Sequence, residues 1–195
     1  MDRLEHKIIS QIVEPGSHVL DLGCGTGELM QLLKEKNHAK AQGIELDEKK
    51  IYSCVEKGLN VFHGNIDGGL IEYPDKTFDY VILNQSMQEV KNAGVVIKDA
   101  LRIGKKVIVG FPNFAYIPAR LRLFFKGKTP ITASLPYRWY DTPNLHFLTI
   151  SDFKDFCAEK SIDILSEHYI NRKKRIRFSP NLFATDAIFV IKSKN

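Results

Sequence analysis

The stretch "VLDLGCGTGELMQLL", from Val19 to Leu33, decides the fold of this chain. It begins with an apolar run of strand composition, continues through three glycines within five residues, and ends in leucines at helical spacing. This order predicts a buried strand, a tight glycine loop and a helix that starts directly after the loop. A glycine loop between a strand and a helix N-terminus is typical of sites that bind nucleotide-like molecules.

The spacing of Gly23, Gly25 and Gly27 separates the classes of ligand. A dinucleotide fingerprint requires its third glycine three places after the second, and Glu28 occupies that position. A carboxylate in the first helical turn repels a pyrophosphate, so the sequence disfavours NAD. A phosphate-binding P-loop is excluded because no Gly-Lys-Ser/Thr follows. Asp21, at the end of the strand, suits a cofactor that carries positive charge and hydroxyl groups.

Strand-like and helix-like segments alternate along the chain. The strand-like segments are HVLDL (18–22), AQGIEL (41–46), NVFHG (60–64), FDYVILN (78–84), KKVIVGF (105–111), IDILSEHYI (162–170) and DAIFVIK (186–192). Crossovers that contain a helix imply parallel pairing, whereas the last two strands lack an obvious helix between them and are expected to form a hairpin. We therefore predict an α/β single domain over residues 1–195, a doubly wound, mostly parallel seven-stranded sheet with an antiparallel last strand. Thr26, Asp47, Asn92 and Ser151 are expected to start helices.

The composition excludes several classes of protein. The 195 residues are 44% apolar and 26% charged, and no apolar run approaches the roughly 20 residues that span a bilayer. The charged N-terminal stretch is unlike a signal peptide, and Cys24, Cys54 and Cys157 form no CxxC pair. We therefore expect a reduced, cytoplasmic protein without a membrane segment, disulfide framework or metal site. The net charge of +5 equals the five basic residues of RKKRIR (172–177), which we interpret as a solvated loop, so nucleic acid is not the expected partner.

Several motifs carry a resemblance to a known class of protein. "VLDLGCGTG" resembles the first motif of class I S-adenosylmethionine-dependent methyltransferases, "GNIDGGL" (64–70) resembles their adenine loop, and "FDYVILNQSMQEV" (78–90) resembles their fourth strand and the loop that faces the sulfonium. Glu45 stands where that class places the carboxylate that binds both ribose hydroxyls. The resemblance implies S-adenosylmethionine or S-adenosylhomocysteine as the cofactor, and it leaves open whether Asn65 or Asp67 contacts the adenine. The implied cofactor-binding residues are Asp21, Gly23, Cys24, Gly25, Gly27, Glu45, Leu46, Asn65, Ile66, Asp67 and Asn84.

A long segment, residues 112–146, separates the fifth strand from the next helix and is too long for a plain connection. It holds five basic residues and one acidic residue, together with the only tryptophan, Trp139. We interpret it as an insertion that forms an acceptor site or a partner surface. "FPNFAYIPARLRLFFKGKTPIT" (111–132), "LPYRWYDTPNLHFLTISDF" (135–153) and "GLIEYPDKTFDYVILNQSMQEV" (69–90) are similar to the MetW family of methionine biosynthesis proteins. That resemblance implies a role beside homoserine O-acyltransferase.

Two functions are compatible with these observations. In one, the chain is a methyltransferase for a small molecule held under the insertion, with Gln85, Tyr116, Tyr140 or His146 near the transferred methyl group. In the other, it binds the cofactor and acts as a partner or regulatory subunit of homoserine O-acyltransferase. We favour the second hypothesis, because the insertion is rich in Arg, Trp and Tyr, which are enriched at binding hot spots, and lacks an obvious general base.

Overall fold

The computed structural model of the protein describes residues 3–172 and 174–194. The helices are α1 (Leu4–Ile12), α2 (Glu28–Asn37), α3 (Glu48–Glu56), α4 (Ala93–Ile103), α5 (Ile117–Lys126), α6 (Ile150–Glu159) and α7 (Pro180–Phe183). The strands are β1 (His18–Leu22), β2 (Lys40–Glu45), β3 (Asn60–His63), β4 (Phe78–Asn84), β5 (Gly104–Pro112), β6 (Ile162–Asn171), β7 (Lys174–Arg175) and β8 (Asp186–Ser193). None of these helices is long and apolar enough to cross a membrane.

The strands form one sheet in the order β3-β2-β1-β4-β5-β8-β6-β7. Strands β1 to β5 pair in parallel, and β8 lies antiparallel between β5 and β6. The predicted α/β class, the mostly parallel sheet and the antiparallel last strand are confirmed. The strand order reverses between β1 and β4, because β2 and β3 extend the sheet to one side of β1 and β4 lies on the other. Ligands of doubly wound sheets bind at such a point.

Within the described residues the sheet has eight strands, so the prediction of seven was wrong. The additional strand, β7, consists of Lys174 and Arg175 and pairs with the end of β6. Arg172 has a positive φ of 56°, which turns the chain back so that part of the basic segment hydrogen-bonds to the sheet edge instead of forming only a solvated loop. Lys173, in the same segment, lies outside the described residues.

Strand β4 shows how the sheet is buried on both faces. Val81 and Leu83 point into a core formed with α4 and α6, whereas Tyr80 and Ile82 point into a second core formed with α1 and α2. Successive side chains of a strand alternate between faces, so an unbroken apolar strand needs helices on both sides. The carboxyl ends of β1, β2 and β4 are thereby fixed as the rim of a cleft.

Two helices begin at residues other than the predicted ones. Helix α2 is preceded by Gly27 with φ 76° and has no side-chain cap, so Thr26 does not cap it. Helix α6 begins after Thr149, which forms a reciprocal capping box with Asp152, whereas the Ser151 hydroxyl accepts a hydrogen bond from the Asn181 side chain. Asp47 caps α3 as predicted, by accepting hydrogen bonds from the next turn's backbone amides.

Candidate functional site

A cavity of about 410 Å³ lies at the reversal of strand order, next to the glycine loop. We call it the first cavity. Its lining includes Asp21, Gly23, Cys24, Gly25, Glu45, Leu46, Asn65, Ile66, Asp67 and Asn84, the predicted cofactor residues other than Gly27. These residues come from the ends of β1, β2 and β4 and from the loop after β3, so the topology brings segments that are distant in sequence to one edge of the sheet.

The three glycines of the loop all have positive φ, and they have different roles. A Cβ on Gly23 would lie 2.7 Å from the Cβ of Ser86, and one on Gly27 would lie 2.9 Å from the Cys54 sulfur. Gly27 therefore packs the loop against α3 and stays outside the lining. A Cβ on Gly25 would meet no atom within 4 Å, although Gly25 lines the first cavity. Its missing side chain leaves room for a ligand.

Glu45 ends β2 with a buried carboxylate that organises this region. Its Oε2 accepts a hydrogen bond from the Gly25 amide at 2.8 Å, and its Oε1 accepts two from the Leu46 and Asp47 amides at 3.0 Å. A carboxylate offers about four acceptor positions, so Oε2 retains capacity for one hydroxyl donor. Glu45 thus fixes the glycine loop and still offers an acceptor to the cavity.

Asp21 is fully buried at the end of β1, beside the glycine loop. Burial, with a smaller contribution from the neighbouring Glu45 carboxylate, raises its pKa to about 7. A buried carboxyl of this kind is stabilised in its charged form by a cation. A positively charged group of a ligand in the first cavity would therefore interact favourably with Asp21.

Asn84 and Ser86, which follow each other closely at the end of β4, also line this cavity. Among the described residues, the Asn84 Oδ1 and the Ser86 Oγ are buried without a hydrogen-bond partner. Unmet buried polar atoms are rare in folded proteins and often mark a ligand position. Gln85, between them, has a left-handed φ of 61°, a conformation that is uncommon for residues with side chains.

The loop after β3 supplies the polar groups expected to contact an aromatic base. The Asn65 Oδ1 accepts a hydrogen bond from the Asp67 amide at 2.9 Å, so this amide oxygen is already used within the loop. The Asp67 Oδ1 accepts from the Lys91 and Asn92 amides at 2.8 and 3.2 Å, which ties the loop to the start of α4. The second Asp67 oxygen and the Asn65 NH₂ group remain available to a ligand.

The four candidate catalytic residues are dispersed. Gln85 lines the first cavity, whereas Tyr116, Tyr140 and His146 are not among its lining residues. Tyr116 precedes α5 and accepts a long hydrogen bond from Asn171 at 3.5 Å, and the Tyr140 hydroxyl accepts one from Arg138 at 2.6 Å. The His146 amide donates to the Gln88 carbonyl at 3.1 Å, and its buried Nε2 has no partner among the described residues.

Sequence reasoning missed the residues of the first cavity that come from other elements. Arg3 and His6, from the start of α1, line it together with Lys50 and Glu89. Arg3 and His6 are three residues apart and therefore share a helix face, which is a usable signal. The position of that face over the glycine loop depends on how α1 packs on α2 and β6, and no short-range pattern reveals it.

Known methyltransferases resemble this chain in fold and in sequence. A S-adenosylmethionine-dependent methyltransferase from Thermotoga maritima has the same fold, with a TM-score of 0.68, 16% identity and coverage of 98% of this chain and 88% of that one. The demethylmenaquinone methyltransferase of Shouchella clausii is 24% identical over 179 residues, which are 80% of this chain and 75% of that protein.

The bifunctional methionine biosynthesis protein MetXA/MetW of Rhodopirellula baltica is 30% identical over 205 residues, covering 98% of this chain. The chain spans 33% of the length of that relative. The family model described as "Methionine biosynthesis protein MetW" matches residues 3–191. The chain therefore belongs to the MetW family.

Proposed function

We propose that this protein binds S-adenosylmethionine or S-adenosylhomocysteine in the first cavity and acts as a partner or regulatory subunit of homoserine O-acyltransferase. Two observations together carry the proposal. The cavity at the glycine loop is lined by hydrogen-bond acceptors with free capacity, and the insertion exposes large aromatic side chains. The R. baltica relative supports the partnership, since its name joins MetXA and MetW in one bifunctional protein.

Each part of the proposed cofactor has a chemically suitable neighbour. The free acceptor position on Glu45 suits a ribose hydroxyl, because a charged acceptor strengthens the hydrogen bond. The ionised Asp21 and the unpartnered Asn84 oxygen suit the ammonium group at the amino acid end of the cofactor. For the adenine, we propose the free Asp67 oxygen as acceptor for the exocyclic amine, since the Asn65 oxygen is already hydrogen-bonded within its own loop.

The partner surface is centred on α5 and the segment after it. Phe124, Phe125 and Trp139 are 82%, 73% and 75% exposed, and we call these three residues the aromatic surface. Arg122 of α5 lines the same groove as Trp139, so α5 and the later segment adjoin there. Large exposed aromatic clusters mark interaction sites. The excess of basic residues in the insertion fits a partner surface that is apolar at its centre and acidic at its rim.

Some basic residues of the insertion hold its own shape. Arg120 donates to the Ala115 carbonyl at 2.6 Å, and Arg122 donates to the Thr129 carbonyl at 3.1 Å. Replacing these arginines would disturb the insertion as well as any interface, so the test of partnership should use the aromatic surface.

The test uses the purified chain mixed with homoserine O-acyltransferase. We expect the proteins to co-elute in size-exclusion chromatography and the acyltransferase activity to change on mixing. The triple variant Phe124→Ser, Phe125→Ser, Trp139→Ser should weaken association by at least tenfold, because few aromatic anchors carry most of the energy of an interface. Its affinity for S-adenosylmethionine should stay within twofold of the wild type.

Ile71 and Phe178 provide a matched control. They are 83% and 78% exposed and lie outside the aromatic surface, so the variant Ile71→Ser, Phe178→Ser should co-elute normally. The partner proposal fails if the wild-type proteins neither co-elute nor change acyltransferase activity. It also fails if both variants associate equally well.

A methyltransferase activity on a small molecule is the second candidate. It is favoured by the position of Gln85, which lines both the first cavity and a neighbouring cavity of about 770 Å³. Turnover of S-adenosylmethionine by the isolated chain with cell metabolites, without association with the acyltransferase, would support this function over the partner role.

A further inference from the structure

A second cavity, of about 770 Å³, adjoins the first one and contains a polar floor. Its walls come from α1, from the loop after β4, from residues 133–144 of the insertion and from the start of β8. Gln85, Gln88, Ser134 and Asp186 form what we call the floor. The proposed cofactor role does not require this cavity.

The floor is rich in acceptors that the protein does not fully use. Asp186 is buried; its Oδ2 accepts from Ser134 and Thr185 at 2.8 and 2.6 Å, and its Oδ1 accepts one long hydrogen bond from Gln85 at 3.3 Å. Gln88 is 3% exposed and donates to the Gln85 carbonyl, but its Oε1 has no partner among the described residues. A buried acceptor without a donor is costly, so this floor is suited to a ligand that brings N–H groups.

The opening of the cavity is lined by basic side chains, in contrast to the acceptors of the floor. Arg3, Lys7 and Arg172 line it with exposed side chains, and within residues 3–172 and 174–194 none of them has a carboxylate within ion-pair distance. Glu5 and Glu89 also line the cavity, and burial raises the pKa of both carboxyls. Burial likewise raises the pKa of Asp186, and a bound cation would favour its ionised form.

We propose that the second cavity binds a small zwitterion of the free α-amino acid class. The ammonium group lies on the floor, against the Asp186 carboxylate and the Gln88 Oε1. The carboxylate faces the cations Arg3, Lys7 and Arg172. The charge arrangement selects for both groups, since a cation alone leaves the basic opening unpaired and an anion alone leaves the floor without donors.

The test is binding of α-amino acids to the full chain in the absence of S-adenosylmethionine. The panel consists of the twenty common amino acids and unbranched homologues of two to six carbons, measured by saturation-transfer NMR and then by calorimetry. At least one should bind saturably. Its decarboxylated amine and its deaminated acid should each bind at least tenfold more weakly.

Two substitutions test the proposed orientation. Asp186→Asn keeps the shape and removes the charge of the floor, and Arg172→Gln removes one cation at the opening; each should weaken binding by tenfold or more. Arg175→Gln is the matched control, because Arg175 lies in the same basic segment but donates to Gln11 outside the cavity lining. It should bind the amino acid normally.

The affinity for S-adenosylmethionine separates failure of this proposal from failure of the cofactor proposal. Asp186 and Arg172 do not line the first cavity, so both variants should bind the cofactor as the wild type does, which also verifies folding. Absence of amino acid binding to the wild type would overturn the proposal. So would equal binding of the single-charge analogues, or unchanged amino acid affinity in the Asp186→Asn variant.

Discussion

At the scale of single residues, Asp21 has the most consequential environment. Its carboxyl is fully buried and lies near Glu45, and its pKa of about 7 is far above the ordinary value of 3.8. Between these two values the folded protein binds a proton that the unfolded chain has released, so the free protein loses stability as the pH rises from about 4 to 7. Asp21 thus lowers the stability of the empty fold at neutral pH, and we propose that its charge there stabilises a cationic ligand.

The first prediction concerns the pH dependence of cofactor binding. A positively charged ligand favours ionised Asp21, so the affinity for S-adenosylmethionine should increase from pH 6 to about pH 7 and level off above it, with proton release on binding. Asp21→Asn should abolish this dependence and weaken binding by roughly 10- to 150-fold, equivalent to about 1.5–3 kcal/mol for a charged hydrogen bond. Calorimetry in buffers of different ionisation enthalpy measures both effects.

Although Asp21→Asn should weaken cofactor binding, it should stabilise the ligand-free protein against unfolding. Without ligand, Asp21→Asn should unfold at a higher denaturant concentration than the wild type at pH 8, because it lacks the buried charge. At pH 4 the difference should vanish, since Asp21 is then protonated in the fold. A wild-type affinity that stays constant between pH 6 and 8 would remove Asp21 from the cation site.

At the scale of elements, the loop between β1 and α2 admits a sharp comparison. Gly25 and Gly58 have φ of 58° and 65°, and a Cβ on either would meet no atom within 4 Å. Alanine at each position therefore costs about 1–2 kcal/mol of left-handed strain and no clash. Only Gly25 lines the first cavity. We predict that Gly25→Ala weakens S-adenosylmethionine binding at least tenfold, whereas Gly58→Ala lowers the stability alone.

Equilibrium binding and denaturant titrations on both variants provide the measurements. A Gly25→Ala protein with wild-type affinity would show that the cofactor does not approach this loop closely. An equal loss of affinity in Gly58→Ala would assign the effect to general loosening of the fold.

Local sequence patterns predicted most helices and strands, but they did not predict where every helix begins. Asp47 caps α3 as expected, because a carboxylate beside free amides is a local interaction. Thr26 was a plausible cap, but the loop brings Gly27 to that position in a left-handed conformation. Thr149, and not Ser151, caps α6, because only Thr149 has an acidic residue, Asp152, three residues later to complete a capping box. The two-residue strand β7 depends on a turn at Arg172 that no periodicity reveals.

The same distinction applies to the site. Residues at the carboxyl ends of β1, β2 and β4 could be placed together from sequence, since a doubly wound sheet brings those ends to one edge. The floor of the second cavity could not be. Gln88 and Asp186 are about a hundred positions apart and line the same cavity only because β8 inserts between β5 and β6. Gln88 lies in the segment 78–90 that resembles the loop after the fourth strand, but nothing in that segment indicates that Asp186 is its neighbour.

At the scale of the whole molecule, the first cavity and the proposed aromatic surface are formed by different parts of the chain. The parallel half of the sheet, from β3 to β5, builds the first cavity at its carboxyl edge. The segment between β5 and α6 carries the aromatic surface and includes residues 127–149, which have no helix or strand. The proposed docking face, on α5 and this irregular segment, shares no residue with the lining of the first cavity, which is why the aromatic variants should keep cofactor affinity.

The whole-molecule prediction is ligand-dependent thermal stability. S-adenosylmethionine at 100 times its dissociation constant should add about 2.7 kcal/mol and raise the melting temperature by roughly 5–10 °C for a domain of this size. NAD should produce no shift, because α2 begins at Glu28 and this carboxylate lies in the cavity lining at the helix N-terminus, where a pyrophosphate would have to bind. Differential scanning fluorimetry with both compounds decides between them. Stabilisation by NAD alone would show that the helix N-terminus accepts an anion despite Glu28, and the cofactor proposal would then be wrong.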